Sequence, residues 1–259
     1  MKLRGKTAIV TGGGSGIGAS IAVVFAREGA RVVITGRTSR KLSVTLRRIK
    51  RKGGEASCVV GDVSISGDVS NIVESAISKY GGLDIVVNNA GISPNYPMLD
   101  TSEQIWDEVM AVNLKGAFLI SKRAIPEMIK RRGGSIVNIG STSSFFGYQG
   151  LSAYCASKGG LLLLTKTMAL EFGPKNIRVN LICPADTRTP MLKRSLSAST
   201  TPEKAYRKIT SLNPLGRISS PEDVANVALF LVSPESSYIN GVSIIVDGGY
   251  TASEPLGFR

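Results

Sequence analysis

The sequence contains no histidine among its 259 residues. That removes the one side chain whose ordinary pKa lies near neutrality, so acid/base chemistry at physiological pH must fall to another group. It also removes the commonest nitrogen ligand. With only three cysteines (Cys58, Cys155 and Cys183) and no CxxC pair, no metal centre is expected. Three widely separated cysteines do not suggest a disulfide framework and fit free thiols in a reducing compartment. Cys155, beside Tyr154, reads as a small packing residue or as a thiol at the edge of a pocket. No apolar run approaches the ~20 residues of a bilayer span, so no membrane partner is expected. The opening Met1-Lys-Leu-Arg-Gly-Lys6 lacks the apolar stretch and cleavage site of a signal peptide, and a cytoplasmic location is the expectation.

Acidic residues are scarce as well: 19 against 32 lysines and arginines, a formal net charge of +13. Eight of the basic residues fall between Arg37 and Lys52, where there is no acidic one. Wound as a helix, this segment lines up Leu42, Leu46 and Ile49 on one side and most of its charge on the other, which describes a solvated basic face. It has neither aromatic–basic interleaving nor a DNA-reading motif, so no nucleic-acid partner is expected. An acidic substrate or carrier protein remains compatible with the charge.

What is abundant is a rhythm. β-branched apolar runs at 8–10, 31–34, 56–60, 84–87, 135–139, 177–182 and 242–246 alternate with helical stretches. The latter include 17–27, the basic segment, 68–80, a long helix containing Trp106 and Asn113, and one carrying Tyr154 and Lys158. Strand–helix alternation predicts an α/β fold: a doubly wound sheet of about seven parallel strands with helices on both faces. With no internal repeat or long linker, 1–259 reads as a single domain. The stretch at about 186–214 breaks the rhythm. Too long for an ordinary connection and placed just after a strand's carboxyl end, it reads as a substrate flap.

Two motifs carry chemistry. Thr11-Gly-Gly-Gly-Ser-Gly-Ile-Gly18 follows the first strand and opens a helix. Small residues there let the backbone approach a pyrophosphate, and the helix N-terminus favours its negative charge. Tyr154-Cys-Ala-Ser-Lys158 places a phenol and an ammonium one helical turn apart, with Ser141 thirteen residues upstream. A phenol titrates near pH 10, and a close ammonium can lower it by roughly one to three units. The pair is thus a candidate acid/base device in a chain without imidazole, with the Ser141 hydroxyl placed to share the same substrate oxygen.

Taken together with Asp62-Val63, Asn88-Asn-Ala-Gly91, Asn113 and Asp247-Gly-Gly249, these motifs resemble the short-chain dehydrogenase/reductase family, in its ~250-residue type with one Rossmann-like domain. The resemblance spans nearly the whole chain, in the family's order and spacing. It implies a nicotinamide cofactor held by Gly12, Gly14, Ser15, Gly16, Ile17 and Gly18. Asp62 and Val63 would meet the adenine, and Asn89, Ala90 and Gly91 would flank the adenosine ribose. Thr187 and Thr189 would hold the nicotinamide carboxamide. It makes Tyr154 the general acid/base and Ser141 its hydrogen-bonding partner on the substrate oxygen. Lys158 would stabilise the phenolate and bind the nicotinamide ribose, and Asn113 would hold a water that links Lys158 to solvent.

Alternatives stay open at several positions. Asp62 also suits a helix cap, and Asn113 also suits helix packing. At the end of the second strand, NAD-using relatives carry an acidic residue. This chain has Gly36 and then Arg37, which favours the 2′-phosphate of NADP, although Arg37 also reads as a solvated surface residue. Many NADP-preferring relatives place a second basic residue in the glycine turn, where this chain has Ser15. Relatives usually read Pro-Gly after the sixth strand; here the sequence is Pro184-Ala-Asp186. Expected pocket walls are 93–98, the 145–149 segment, and the flap from Met191 onward; Phe145, Phe146 and Tyr148 equally suit packing under the flap. The apolar run Leu161-Leu-Leu-Leu164 with Met168, Leu170 and Phe172 implies a second buried face, and the family commonly forms homotetramers through this helix.

For activity, the resemblance implies hydride transfer between NADP and a carbonyl or secondary alcohol, with NAD second. An NADPH-linked ketone or 3-oxoacyl-carrier-protein reductase leads. A sugar or polyol dehydrogenase, of the glucose dehydrogenase kind, and a non-catalytic nucleotide-binding scaffold are the alternatives.

Overall fold

The architecture is that of a computed structural model, which describes residues 1–197 and 200–252. Seven parallel strands form one sheet: β1 (Thr7–Thr11), β2 (Arg31–Gly36), β3 (Ala56–Val60), β4 (Ile85–Asn88), β5 (Gly134–Ile139), β6 (Ile177–Pro184) and β7 (Ser243–Val246). Their order in space is β3-β2-β1-β4-β5-β6-β7. The strands are nearly continuous apolar runs because helices cover both faces. Successive residues turn to opposite layers. Ala8 and Val10, Val32 and Ile34, and Val137 and Ile139 enter one core; Ile9, Val33 and Ile136 enter the other.

The first core is closed by α1 (Gly16–Arg27), α2 (Ser39–Arg51) and α9 (Pro221–Val232), through Phe25, Leu42, Ile49 and Leu231. The second lies under α3 (Ser66–Tyr80), α5 (Gly116–Lys130) and α6 (Ser152–Phe172), with Ile72, Ile120 and Met168 buried in it. On α2, Leu42 and Ile49 are buried while Arg40, Lys41, Arg47 and Arg48 are exposed, so its basic side is a solvated face. Among the described residues no helix is long and apolar enough to cross a membrane.

Two departures from the sequence reading concern helices. The expected long helix around Trp106 and Asn113 is α4 (Glu103–Met110) joined to α5 by a π-helical turn over Ala111–Lys115. Helix α9 was not foreseen, although Ser220-Pro-Glu-Asp223 carries its signal. The Ser220 hydroxyl accepts from the Asp223 amide at 3.2 Å, and the Asp223 carboxylate accepts from the Ser220 amide at 2.7 Å. In the expected flap lie α7 (Pro190–Ser197) and α8 (Pro202–Ser211). Positions 198 and 199 of that segment lie outside the described residues.

The sheet order creates the crevice. From β1 the chain winds outward to β2 and β3, then returns to β4 on the other side of β1. The loops leaving β1 and β4 therefore diverge at their carboxyl ends and leave a gap, the position where open α/β sheets bind ligands.

Candidate active site

The glycine turn lines that gap on one side. Gly12 and Gly16 have φ of +63° and +55°, left-handed conformations that disfavour any residue with a Cβ. Both lie on the wall of a cavity of about 430 Å³, together with Ser15 and Ile17. A side chain on Gly18 would collide with the Gly12 carbonyl and the Asn89 amide, so Gly18 allows α1 to approach the β4 loop. Gly14 lies away from the cavity, where a Cβ would stand 3.0 Å from that of Lys41. Ser15 gives α1 no side-chain cap, and the first turn of the helix holds no acidic residue. An uncapped positive helix end over a glycine cradle fits the diphosphate of a dinucleotide.

The two loops are stapled by a residue not singled out from the sequence. The Thr11 hydroxyl donates to the Val87 carbonyl at 3.3 Å and accepts from the amides of Asn89 and Ala90 at 2.9 and 3.0 Å. The Asn89 side chain donates to the Thr11 carbonyl at 2.8 Å. Asn89, Ala90 and Gly91 thus face the glycine turn and line the same cavity.

The outer cofactor positions lie elsewhere. Arg37, Asp62 and Val63, at the ends of β2 and β3, are outside that cavity wall. Val63 is buried, packed against Gly116. One Asp62 oxygen accepts from the amide and the hydroxyl of Ser64 at 2.9 and 2.7 Å. Asp62 thus closes a local turn and does not cap the following helix, which starts after Ile65 without a side-chain cap. Its other oxygen lies 3.7 Å from the Arg37 guanidinium, which also lies 3.9 Å from the Glu108 carboxylate of α4.

On the far wall Ser141, Tyr154 and Lys158 come together. Ser141 leaves the end of β5 and starts a short turn; its hydroxyl accepts from the Ser143 amide at 3.1 Å. The Ser141 side chain is near enough to the Tyr154 phenol to favour its charged form. Lys158 is 4 % exposed, with its Nζ 2.7 Å from the Ile139 carbonyl and 5.6 Å from the centre of the Tyr154 ring. Helix α6 is held in register by a buried polar relay. Asn88 donates to Asn138 at 2.8 Å, Asn138 donates to Thr165 at 2.8 Å, and Thr165 donates to the Leu161 carbonyl at 2.7 Å.

Asn113 sits in the π-helical turn and is also a positioning hub. Its amide oxygen accepts from the Ile92 amide at 2.8 Å. Its nitrogen donates to the Ile92 carbonyl at 2.9 Å and to Ser157 at 3.1 Å. Ser157 in turn donates to the Tyr154 carbonyl at 2.7 Å. The side-chain amide is therefore occupied in tying the β4 loop to the first turn of α6, as the packing alternative anticipated. Ser157, one residue before Lys158, was not foreseen.

Burial dominates the electrostatics of the site. Burial pushes the Tyr154 phenol up to about 12; the Ser141 side chain works in the other direction but its effect is smaller. Lys158 does not offset that rise: burial brings its own ammonium down to about 8, and its Nζ is bonded to the Ile139 carbonyl. Burial also raises the neighbouring Cys183 thiol to about 11. In this arrangement the phenol is an acid that holds its proton at neutral pH, and the lysine is the group that titrates near it.

Thr187 and Thr189 line the cavity beyond β6. The Thr187 hydroxyl donates to the Ala185 carbonyl at 3.1 Å and lies 2.8 Å from that of Ser219. Thr189 accepts from the Leu192 amide at 3.3 Å, and its methyl group covers Gly16. The walls also include Ser93, Asn95, Tyr148, Asp186, Met191 and Arg194, joined by Tyr250, which the sequence reading had not included. Phe145 and Phe146 are half-exposed beside each other, outside the cavity wall, so the expected aromatic lining reduces to Tyr148.

Comparison with known proteins agrees with this geometry. A family model described as "Enoyl-(Acyl carrier protein) reductase" matches residues 12–251. The chain is 41% identical over 249 residues to a 3-oxoacyl-[acyl-carrier-protein] reductase of Thermotoga maritima, covering 96% of this chain and 99% of that one. It is 38% identical over 250 residues to a 2,5-dichloro-2,5-cyclohexadiene-1,4-diol dehydrogenase of Sphingobium indicum, covering 96% and 98%. Among solved structures, levodione reductase superposes with a TM-score of 0.95 at 31% identity, covering 97% of this chain and 100% of that one.

Proposed function

The chain belongs to the short-chain dehydrogenase/reductase family, oxidoreductases acting on CH–OH and C=O groups, and we propose that it is an NADPH-linked reductase of ketones or 3-oxoacyl thioesters. The observation that carries this reading is the convergence of Ser141, Tyr154 and Lys158 on a cavity whose opposite wall is the glycine turn. When bound, the nicotinamide supplies or accepts the hydride. Gly12, Ser15, Gly16 and Ile17 would hold its diphosphate, and Asn89, Ala90 and Gly91 would flank the adenosine ribose. Thr187 and Thr189 would border the nicotinamide carboxamide.

The chain's own part is proton delivery. Ser141 and Tyr154 hydrogen-bond the carbonyl oxygen, and as negative charge grows there Tyr154 releases its proton to it. Lys158, buried one turn away, stabilises the phenolate that remains. Asn113 acts through others, by holding Ile92 and, through Ser157, the first turn of α6.

A substrate panel tests the class. Acetoacetyl thioesters and simple ketones assayed with NADPH and NADH are expected to oxidise the cofactor. Turnover confined to sugar or polyol oxidation would favour the second reading, which the diol dehydrogenase relative supports.

NADP preference rests on Arg37. A 2′-phosphate would draw the guanidinium from the half-buried Asp62 and the exposed Glu108 carboxylates at 3.7 and 3.9 Å, pairs too loose to hold it strongly. Arg37→Ala is expected to weaken NADP binding by about tenfold or more, the effect of losing a charge-assisted hydrogen bond, while NAD affinity changes little. Cofactor fluorescence titration measures both. NADP affinity unchanged in the variant, or wild-type protein that binds NAD equally well, would refute the assignment.

Homotetramer formation is proposed from the outer side of α6. There Leu163 and Leu170 are 64% and 80% exposed, with Phe118 of α5 also exposed. Light scattering at micromolar concentration should give four times the chain mass; a monomer would rule this assembly out.

A further inference from the structure

The Pro184-Ala-Asp186 departure puts a carboxylate into the substrate end of the cavity. Asp186 lines the wall together with Ser141, Tyr148 and Tyr154. Its charge is close enough to bear on both phenols and raises the pKa of each.

Its backbone is fixed on both sides. The Asp186 carbonyl accepts from the amide and the hydroxyl of Ser219 at 3.3 and 3.2 Å. Ala185 donates to the Val246 carbonyl at 3.2 Å, and Arg188 to the Ser219 carbonyl at 2.9 Å. Thr187, 5% exposed, anchors the next position. Asp186 thus sits on a braced segment between β6 and β7, with the start of the flap beyond it.

Among the described residues the carboxylate has no hydrogen-bond or ion-pair partner. The surrounding walls desolvate it and raise its pKa, while the residue itself stays exposed at the open cavity. The other charges on the wall are placed for other tasks. Lys158 is bonded to Ile139, Lys41 packs beside the glycine turn, and Arg194 lies exposed on α7. A partly desolvated carboxylate is favourable only when a donor meets it, so a bound substrate that covers it with hydrocarbon is penalised.

Given the hydride-transfer chemistry proposed above for this cavity, we propose that Asp186 is a specificity-determining residue. It accepts a hydrogen bond from a second hydroxyl of the substrate, so that the site selects hydroxylated ketones, and the corresponding diols, over bare ketones. An unbranched 3-oxoacyl chain offers no hydroxyl at that point. Within the proposed class, the inference therefore narrows the substrate to small polar carbonyl compounds.

The test uses matched pairs, cyclohexanone with 4-hydroxycyclohexanone and 2-butanone with 3-hydroxy-2-butanone. Wild-type, D186N and D186A proteins are assayed with NADPH and NADH. Wild-type kcat/KM should favour the hydroxylated member of at least one pair by on the order of 10- to 100-fold, chiefly through KM. In D186A the hydroxylated substrate should lose that advantage while the bare ketone gains, and D186N should fall between. Cofactor titration shows that each variant is folded. A role confined to bracing the loop would instead lower both members of a pair together, and that result would overturn the proposal. So would a wild-type preference for bare ketones or acetoacetyl thioester, or an unchanged ratio in D186A. Absence of turnover for every substrate with either cofactor would overturn the reductase reading itself, and the role of Asp186 with it.

Discussion

Tyr154→Phe will abolish most turnover and leave cofactor binding nearly intact. The substitution removes one oxygen. The ring keeps its packing, and Lys158 keeps its 2.7 Å bond to the Ile139 carbonyl. What disappears is the proton. The phenol, pushed up to about 12 by burial, is protonated throughout the pH range of an assay, and the chain has no imidazole to replace it. Ser141 cannot substitute, because an alcohol is a far weaker acid and its oxygen already accepts from the Ser143 amide. General-acid catalysis typically contributes 10²–10⁴-fold, and a loss of that size in kcat is expected, with cofactor affinity within about twofold of wild type. Steady-state kinetics with the best ketone of the panel, together with fluorescence titration of the cofactor, measure the two quantities. A kcat within tenfold of wild type would remove Tyr154 from the chemistry. A parallel collapse of cofactor binding would show that the phenol supports the cavity rather than the reaction.

The parts of this site that could be read from the chain are those set by local backbone demands. A glycine turn between a strand and a helix needs left-handed positions, and Gly12 and Gly16 adopt them. A tyrosine and a lysine four residues apart on a helix face the same way, and they share one wall. The alternation of buried strands and helices was enough for a parallel sheet covered on both faces. What stayed hidden was set by partners far away in sequence. The Asn113 amide is occupied by Ile92 and Ser157, 21 and 44 residues distant, and nothing near Asn113 announces either. Arg37 meets Asp62 and Glu108 only because β2, β3 and α4 converge. The rise of the Tyr154 phenol depends on how much wall surrounds it, which spacing alone does not contain. Helix α9 is a different case: its Ser-Pro-Glu-Asp start is a local capping signal and is legible in the chain.

Lys158→Met is the second large effect, and pH separates its causes. Burial brings the Lys158 ammonium down to about 8 from an ordinary value of 10.5. Below about pH 8 the group is charged in the folded protein, and that charge is what stabilises the phenolate left when Tyr154 gives up its proton. As pH rises through about 8 the charge is lost, so reductive kcat/KM in the wild type should fall along a limb with an apparent pKa near 8. Methionine fills similar volume without charge. It should lower kcat/KM at pH 7 by roughly 10²-fold or more, as removal of a preplaced electrostatic group does, and erase that limb. Stability should move the opposite way. Between about pH 8 and 10.5 the unfolded chain binds the proton that the folded chain has released, so wild-type stability gains on the variant as pH rises through that window. Below it the wild type carries a buried ammonium that the variant lacks. Thermal melts at pH 7 and pH 10, read beside the pH–rate profiles, distinguish the two roles. An unchanged limb near pH 8 in Lys158→Met would assign that titration to another group. A variant that melts lower than wild type by the same margin at both pH values would show that Lys158 acts through its hydrogen bond to Ile139 and not through its charge.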